Sequence, residues 1–465
     1  MPRRNITILL VALILSLFCY LGTNRYAESL AYVMYLIQMY SLEERNPREL
    51  LDSALDGMLT SLDENSGYIP PERYESLNEV LTQEFGGVGL SFSMAEKTGE
   101  PVIHFTLPQS PAAKSGIRGG DKILSIDGKS VQGLSLMDIS NQLRGPVGTQ
   151  VLVGVLRPAT EQTLNFSITR EKIQVETVEG DIRHADGTWE YFLPPLPTGE
   201  NAGKIAYLRI VSFGEHTCRE LEKRLPQLLE AGMTGLVLDL RDNSGGLLDA
   251  AIAICDLFVS QGVLVTTRGR GGEILHTFTA SPQTLCSGIP IAILINGESA
   301  SASEILAACL QDHAASGELR AICVGTRSYG KGTVQQLIDI GYLPEDYPQE
   351  GDAENTSLWE RLWKTPPRGA IRMTVASYWR PNGQNIHRFS DSTEEDTWGV
   401  TPNDGFVVPF LQRDVMVLGR EKKPSPYLKM LQERSNGTLE PSRSAEIYSL
   451  DPQLKKAVEW LANKP

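Results

Sequence analysis

A chain of 465 residues has room for two or three domains, each with its own buried core. Its 43 Lys and Arg against 57 Asp and Glu leave a formal charge of −14, and no basic stripe with interleaved aromatics breaks that balance. This argues against a nucleic-acid partner, which needs clustered cations to neutralise phosphates. The six cysteines contain no CxxC pair and the six histidines no HExxH spacing, so neither a metal nor another cofactor is expected.

In chain order, the first informative feature is Arg3-Arg4 ahead of an apolar run from Ile6 to Leu21, followed by Gly22-Thr23-Asn24-Arg25. A positive flank before an apolar stretch reads as an export signal with its N-terminus in the cytoplasm. No small-x-small cleavage site follows, and Phe18 before Cys19 spoils a lipoprotein site. Residues 1–25 are therefore read as an uncleaved anchor in the inner membrane in preference to a cleaved signal peptide, which the shortness of the run favours; on either reading the rest of the chain lies on the extracytoplasmic, periplasmic side. Residues 26–83 read as helical: Leu50, Leu51, Ala54, Leu55, Met58 and Leu59 recur at helical spacing, and the pattern stops at Asp63-Glu64-Asn65-Ser66-Gly67.

Residues 84–172 change character. Gly86-Gly87-Val88-Gly89-Leu90-Ser91-Phe92 is a glycine-rich turn entering an alternating strand, and Asp127-Gly128 is a hairpin signal. With Ser110-Pro111-Ala112-Ala113-Lys114-Ser115-Gly116-Ile117 and the run Gly120 to Gly128, this ordered set resembles a PDZ domain in the circular arrangement of bacterial proteases. The resemblance implies a domain that takes an extended peptide onto a sheet edge. The peptide's terminal carboxylate would be captured by the loop and strand start, here Gly87, Val88, Gly89, Leu90 and Phe92.

Residues 173–418 read as an α/β core. Ile205–Ile210, Gly235–Leu240 and Ile291–Asn296 are apolar strand runs, and the last two have the continuity of strands buried on both faces. Thr217 with Glu220 makes a capping box opening a helix, although Pro226 interrupts its pattern. Residues 343–369 are acidic, proline-bearing and aperiodic, and read as a surface insertion. Residues 419–465 read as a polar tail ending in a short helix near Leu454–Leu461.

Three turns carry the chemistry: Asp239 to Leu247, Gly297 to Ile305 and Gly325 to Gln335. The third nearly fits a phosphate loop, with Gly325, Gly330 and Lys331 in GxxxxGK spacing. Gly332 replaces the metal-binding hydroxyl, however, and no helix pattern follows. A serine at neutral pH needs a base within hydrogen-bond reach. His313 lies about three turns along the helix that follows the serines, by the pitch of an α-helix. Lys331, carried between glycines into a closed site, can serve if its pKa is lowered. Ser299, Ser301 and Ser303 are equal candidates on this reasoning.

The motifs DLRDNSGGLL, SASASEILAACLQD, GTRSYGKGTVQ, Tyr378 to Gly383 and Gly399 to Asn403 occur in order. With them the chain, from about residue 45 to 408, resembles the C-terminal processing peptidases, or tail-specific proteases. The resemblance implies a multi-domain serine endopeptidase: helical N-terminal region, PDZ domain and α/β peptidase core. It places the nucleophile on Ser301, the general base on Lys331 and the group orienting that lysine on Gln335. It places the oxyanion donors on Ala302 and on a glycine of the Gly245-Gly246 turn, Gly245 ahead of Gly246. Protein substrates with exposed, apolar C-terminal tails are the implied partners, with a homo-oligomer or regulatory partner left open. Asn-Ser-Gly-Gly stands for the family's Asn-Pro-Gly-Gly and Tyr329 for its phenylalanine. Ala315-Ser316-Gly317-Glu318 looks like an added loop between Ser301 and Lys331. The rival reading is a PDZ-bearing scaffold whose dyad no longer works.

Overall fold

The computed structural model describes residues 25–95, 98–184, 186–196, 203–340, 369–409, 426–439 and 441–463. The expected anchor up to residue 24, and the insertion up to residue 368, lie outside them. No helix among the described residues is long and apolar enough to cross a membrane. The chain forms two compact units, residues 1–74 with 335–374, and residues 75–334 with 375–465.

In the first unit, the periodic stretch becomes the helix Pro47–Thr60, with Asn46 capping it through the Arg48 N–H and proline at its first position. A second helix, Arg25–Tyr40, precedes it. The turn at Asp63 to Gly67 is built on one carboxylate, since Asp63 accepts from the Asn65 and Ser66 N–H groups and the Ser66 hydroxyl. Beyond it, the strand Gly67–Ile69 pairs antiparallel with Ala370 to Arg372. The helical pattern did not anticipate this strand, whose partner lies some 300 residues away.

The second unit opens with the PDZ region. Five strands lie in the order Leu90–Met94, Pro101–Thr106, Lys122–Ile126, Gln150–Arg157, Gln162–Thr169, with Lys129–Ser130 pairing on Lys122–Ile126. Asp127 and Gly128 both take positive φ, as a tight hairpin turn of their type requires. Ile103, Ile123, Ile139, Val153 and Val155 form the core. Glu84–Gly87 pairs antiparallel with Glu171–Gln174, so the region's two ends are joined where the chain enters and leaves it.

The α/β core is a five-stranded sheet in the order Val178–Glu179, Ile205–Ile210, Gly235–Asp239, Ile291–Ile295, Ala321–Gly325; all but the first pairing are parallel. Its strands alternate between two apolar cores. Leu236, Leu238, Ile291 and Ile293 face the helices Thr217–Glu230, Leu248–Asp256 and Ala302–Ala315, while Val237, Ala292 and Leu294 face the other side. Burial on both faces explains the unbroken apolar runs.

Two expectations are corrected here. The other face is covered by the helix Pro452–Ala462, where Leu454, Ala457, Val458 and Leu461 are buried, together with Met430, Ile447 and Tyr448. The segment read as a polar tail is thus part of the core. Of its polar residues, Asp451 caps the helix through the Leu454 N–H, while Gln453 and Arg434 are buried, Gln453 donating to the Val408 carbonyl and Arg434 pairing with Asp181. The capping box at Thr217 does not form. The Thr217 hydroxyl instead accepts from the Gly214 N–H and the Gln83 amide, and Glu220 accepts from the Thr177 and Val178 N–H groups. The helix starts where expected and runs through Pro226.

Candidate active site

Neighbouring parallel strands ending at Asp239, Ile295 and Gly325 bring the three turns to one edge of the sheet, where open α/β folds place their chemistry. Asn243 ties the first turn to the second. Its amide donates to the Ile210 carbonyl at 2.6 Å, and its own carbonyl accepts from the Ala300 N–H at 3.0 Å and the Ser303 hydroxyl at 2.9 Å.

The fold separates the three serines. The Ser299 hydroxyl donates to the Leu240 carbonyl at 2.8 Å and the Ser303 hydroxyl to Asn243, and both residues are wholly buried. Ser301 is half-buried and takes φ +57°, ψ −116°, a region that side chains other than glycine's rarely enter. It stands at the N-terminus of the helix Ala302–Ala315. The Ala302 N–H has no acceptor among the described residues, as befits a first-turn donor, and the helix dipole adds positive potential there.

Gly245 lies against this turn at φ +101°. A Cβ on it would fall 2.7 Å from the Ala300 carbonyl oxygen, 2.8 Å from Ser301 Cβ and 2.9 Å from the Ala302 nitrogen. Only glycine permits the approach. Its N–H, however, donates to Asn243 Oδ1 at 2.8 Å. The expected oxyanion donor at Gly245 is therefore already engaged, because the turn folds back on its own asparagine.

One carboxylate that the sequence reasoning passed over joins the second and third turns. Glu304 is fully buried and accepts four hydrogen bonds. Its Oε1 takes the Ser328 hydroxyl at 2.6 Å and the Gly330 N–H at 2.6 Å, and its Oε2 takes the Ser301 N–H at 2.8 Å and the Lys331 N–H at 2.8 Å. Burial pushes its carboxyl up to about 7, against the downward pull of the Ser328 hydroxyl and the three N–H groups. The backbones of Ser301 and Lys331 thus meet on a single oxygen. The signal for Glu304 was its place three residues into a helix behind a serine, but that signature belongs to any capping box.

Tyr378 grips the same pair. Its hydroxyl donates to the Lys331 carbonyl, and the same phenol oxygen accepts from the Ser301 side chain. Burial, then the charge of Glu304, holds the phenol well above its ordinary range, against the pull of Ser301, so it stays neutral. Lys331 itself is half-buried. The strand Thr333–Asp339, not a helix, follows it, so the turn lacks the helix N-terminus on which a phosphate loop depends. Gln335 belongs to the first unit, where its amide nitrogen donates to the Thr374 hydroxyl at 3.2 Å. His313 is no rival base: its Nδ1 pairs with Glu318 Oε2 at 2.6 Å and its Nε2 with the Val263 carbonyl at 2.9 Å. The added loop after it, residues 315–318, is exposed at the surface.

In the PDZ region, Gly87, Val88 and Gly89 are buried in the loop, and Leu90 and Phe92 pack part-buried on its core. Gly89 adopts φ +77° with Ser110 so close that a Cβ would lie 2.4 Å from Ser110 Cβ. Its carbonyl accepts from the Leu107 N–H at 3.0 Å. The strand Leu90–Met94 is the end strand of its sheet. No group of three or more metal-ligating side chains occurs among the described residues.

Comparison with known proteins agrees with this architecture. Residues 204–403 match peptidase family S41 and residues 79–156 match the PDZ domain. The chain is 34% identical over 426 residues to the carboxy-terminal-processing protease of Bartonella bacilliformis, covering 89% of this chain and 83% of that protein. It is 32% identical to the carboxyl-terminal-processing protease of Synechocystis, over 75% of this chain and 71% of that one. To the chloroplastic C-terminal processing peptidase of Tetradesmus obliquus it is also 32% identical, over 80% and 72%. Shared sequence of that extent, running through both the PDZ region and the α/β core, means that the chain belongs to peptidase family S41 and is a serine protease of the carboxyl-terminal-processing kind.

Proposed function

We propose that Ser301 attacks a peptide bond near the C-terminus of a protein substrate whose apolar tail is held by the PDZ domain. Lys331 takes the serine proton and returns one to the leaving amine. The Ala302 N–H binds the oxyanion; the Gly245 N–H joins it only by releasing Asn243. Gln335 orients the lysine, as the resemblance implies. The observation that carries this reading is the contrast among the serines: Ser299 and Ser303 spend their hydroxyls on carbonyls, whereas Ser301 sits strained and half-exposed at a helix N-terminus beside the lysine turn. The reading includes export, with the apolar run of residues 6–21 holding the enzyme at the periplasmic face of the inner membrane.

The test uses a protein substrate with an apolar tail. Ser301→Ala and Lys331→Ala each abolish trimming, while Ser299→Ala and Ser303→Ala retain it in the folded fraction. Tail trimming at the wild-type rate by either of the first two variants would remove the dyad. Partition of the full chain with membranes, lost on deleting residues 1–24, tests the anchor.

A further inference from the structure

We infer that Glu304 is a positioning residue for the reaction, a four-bond latch that sets the nucleophile turn against the lysine turn. The inference rests on Ser301 and Lys331 being the reacting pair. A helix cap alone would need only the bond from the Ser301 N–H to Glu304. The other three donors come from a separate turn, at Ser328, Gly330 and Lys331. Ser328 accepts the Val400 N–H at 2.6 Å, which commits its own proton to Glu304. Each carboxylate oxygen thus receives two donors, and none of the four groups needs a proton from it. Such a set of four donors suits a carboxylate better than an amide of the same shape, whose NH2 would meet two donors. Burial of the carboxyl group is sustained by saturation of both oxygens. Ordinary caps at exposed helix ends have no need of this.

Glu304→Gln keeps the shape and places an NH2 where two donors converge, so the turns must separate. In a site where small misplacements are costly, kcat on an apolar-tailed substrate falls about 100-fold. KM stays within about threefold, because the hydrogen bonds of Glu304 go to Ser301, Ser328, Gly330 and Lys331 and none to the described PDZ residues proposed to hold the tail. Labelling of Ser301 by a fluorophosphonate slows in parallel with kcat and still reaches the wild-type end point. Ser328→Ala, which removes one donor, lowers kcat by an intermediate factor and serves as the deciding variant if Glu304→Gln gives no cooperative melt. The latch is overturned if Glu304→Gln turns over within twofold of wild type while Ser301→Ala and Lys331→Ala are dead. It is also overturned if labelling keeps its rate and loses only its end point, the mark of a smaller folded fraction. Wild-type kcat in Ser328→Ala overturns it where Glu304→Gln does not fold. Activity surviving in Ser301→Ala or Lys331→Ala removes the site reading and the latch together.

Discussion

Ser301 holds its side chain at φ +57°, ψ −116°, and that strain has a thermodynamic consequence. A non-glycine residue in such a region costs on the order of 1–3 kcal/mol, while exchanging a serine cap for glycine costs only a few tenths. Ser301→Gly should therefore be inactive yet more stable than wild type by about 1 kcal/mol in urea unfolding. Ser301→Ala should be inactive without that gain. Ser299→Ala and Ser303→Ala should behave oppositely, losing about 1 kcal/mol each, since each removes a buried hydrogen bond, to the Leu240 carbonyl and the Asn243 carbonyl respectively. Gly245→Ala places a Cβ within 3 Å of the Ala300 oxygen, Ser301 Cβ and the Ala302 nitrogen, so kcat should drop about 100-fold without a matching change in KM. At this scale the sequence offered three serines in a row with the same local chemistry. Their partners, Leu240 and Asn243, lie some 60 residues away, so local chemistry leaves the serines alike where family resemblance and the folded chain separate them.

Among the elements, the helix Ala302–Ala315 has a hydrogen-bonded lock at its C-terminal end, where His313 joins Glu318 to the Val263 carbonyl. Contact with Cys309, the Val263 carbonyl and Glu318 raise His313 to about 9, against the opposing effect of burial. Both ring nitrogens face acceptors, which suits the imidazolium, and a cation also suits a helix C-terminus. A raised folded pKa adds stability in full below the unfolded value of about 6.5 and loses it as pH rises through about 9. The melting temperature of wild type should therefore exceed that of His313→Gln most at pH about 6, and the gap should close by pH about 10. A gap that is constant with pH would show that the ring is neutral throughout. The helix Pro452–Ala462 offers a second element-scale test. Leu454 is buried in the same core as Val237 and Leu294, so Leu454→Ala should cost about 2–5 kcal/mol by chemical denaturation, whereas substitution in a surface tail would cost almost nothing. The strands, the helix starts and the hairpin turn were legible because apolar period and turn chemistry are local. The tail's role was not, because a short amphipathic helix reads alike whether it covers a sheet or frays in water.

For the molecule as a whole, the proposal separates binding in the PDZ region from chemistry in the α/β core. Gly89→Val puts a branched side chain against Ser110 at a positive φ, which should displace the loop proposed to capture the tail's carboxylate. KM for a tailed substrate should rise at least tenfold, with kcat on a short untailed peptide unchanged. Amidating the substrate's C-terminus should do the same to wild type, since a hydrogen-bonded charge is worth about 1.5–3 kcal/mol. An unchanged KM in both measurements would place tail recognition elsewhere.

Local pattern was enough to indicate that two kinds of domain follow one another, where three of the four parallel strands run, and which three turns are the candidates for the chemistry, because these follow from residue period and turn-forming residues. Motif order named the family. What the tertiary structure decided were relations between residues far apart in the chain: which serine is left half-exposed, that Gly245 lends its N–H to Asn243, that the last helix closes the sheet, and that Glu304 gathers two turns. Hydrogen-bond saturation and burial are properties of a packed neighbourhood, and no window along the sequence contains them.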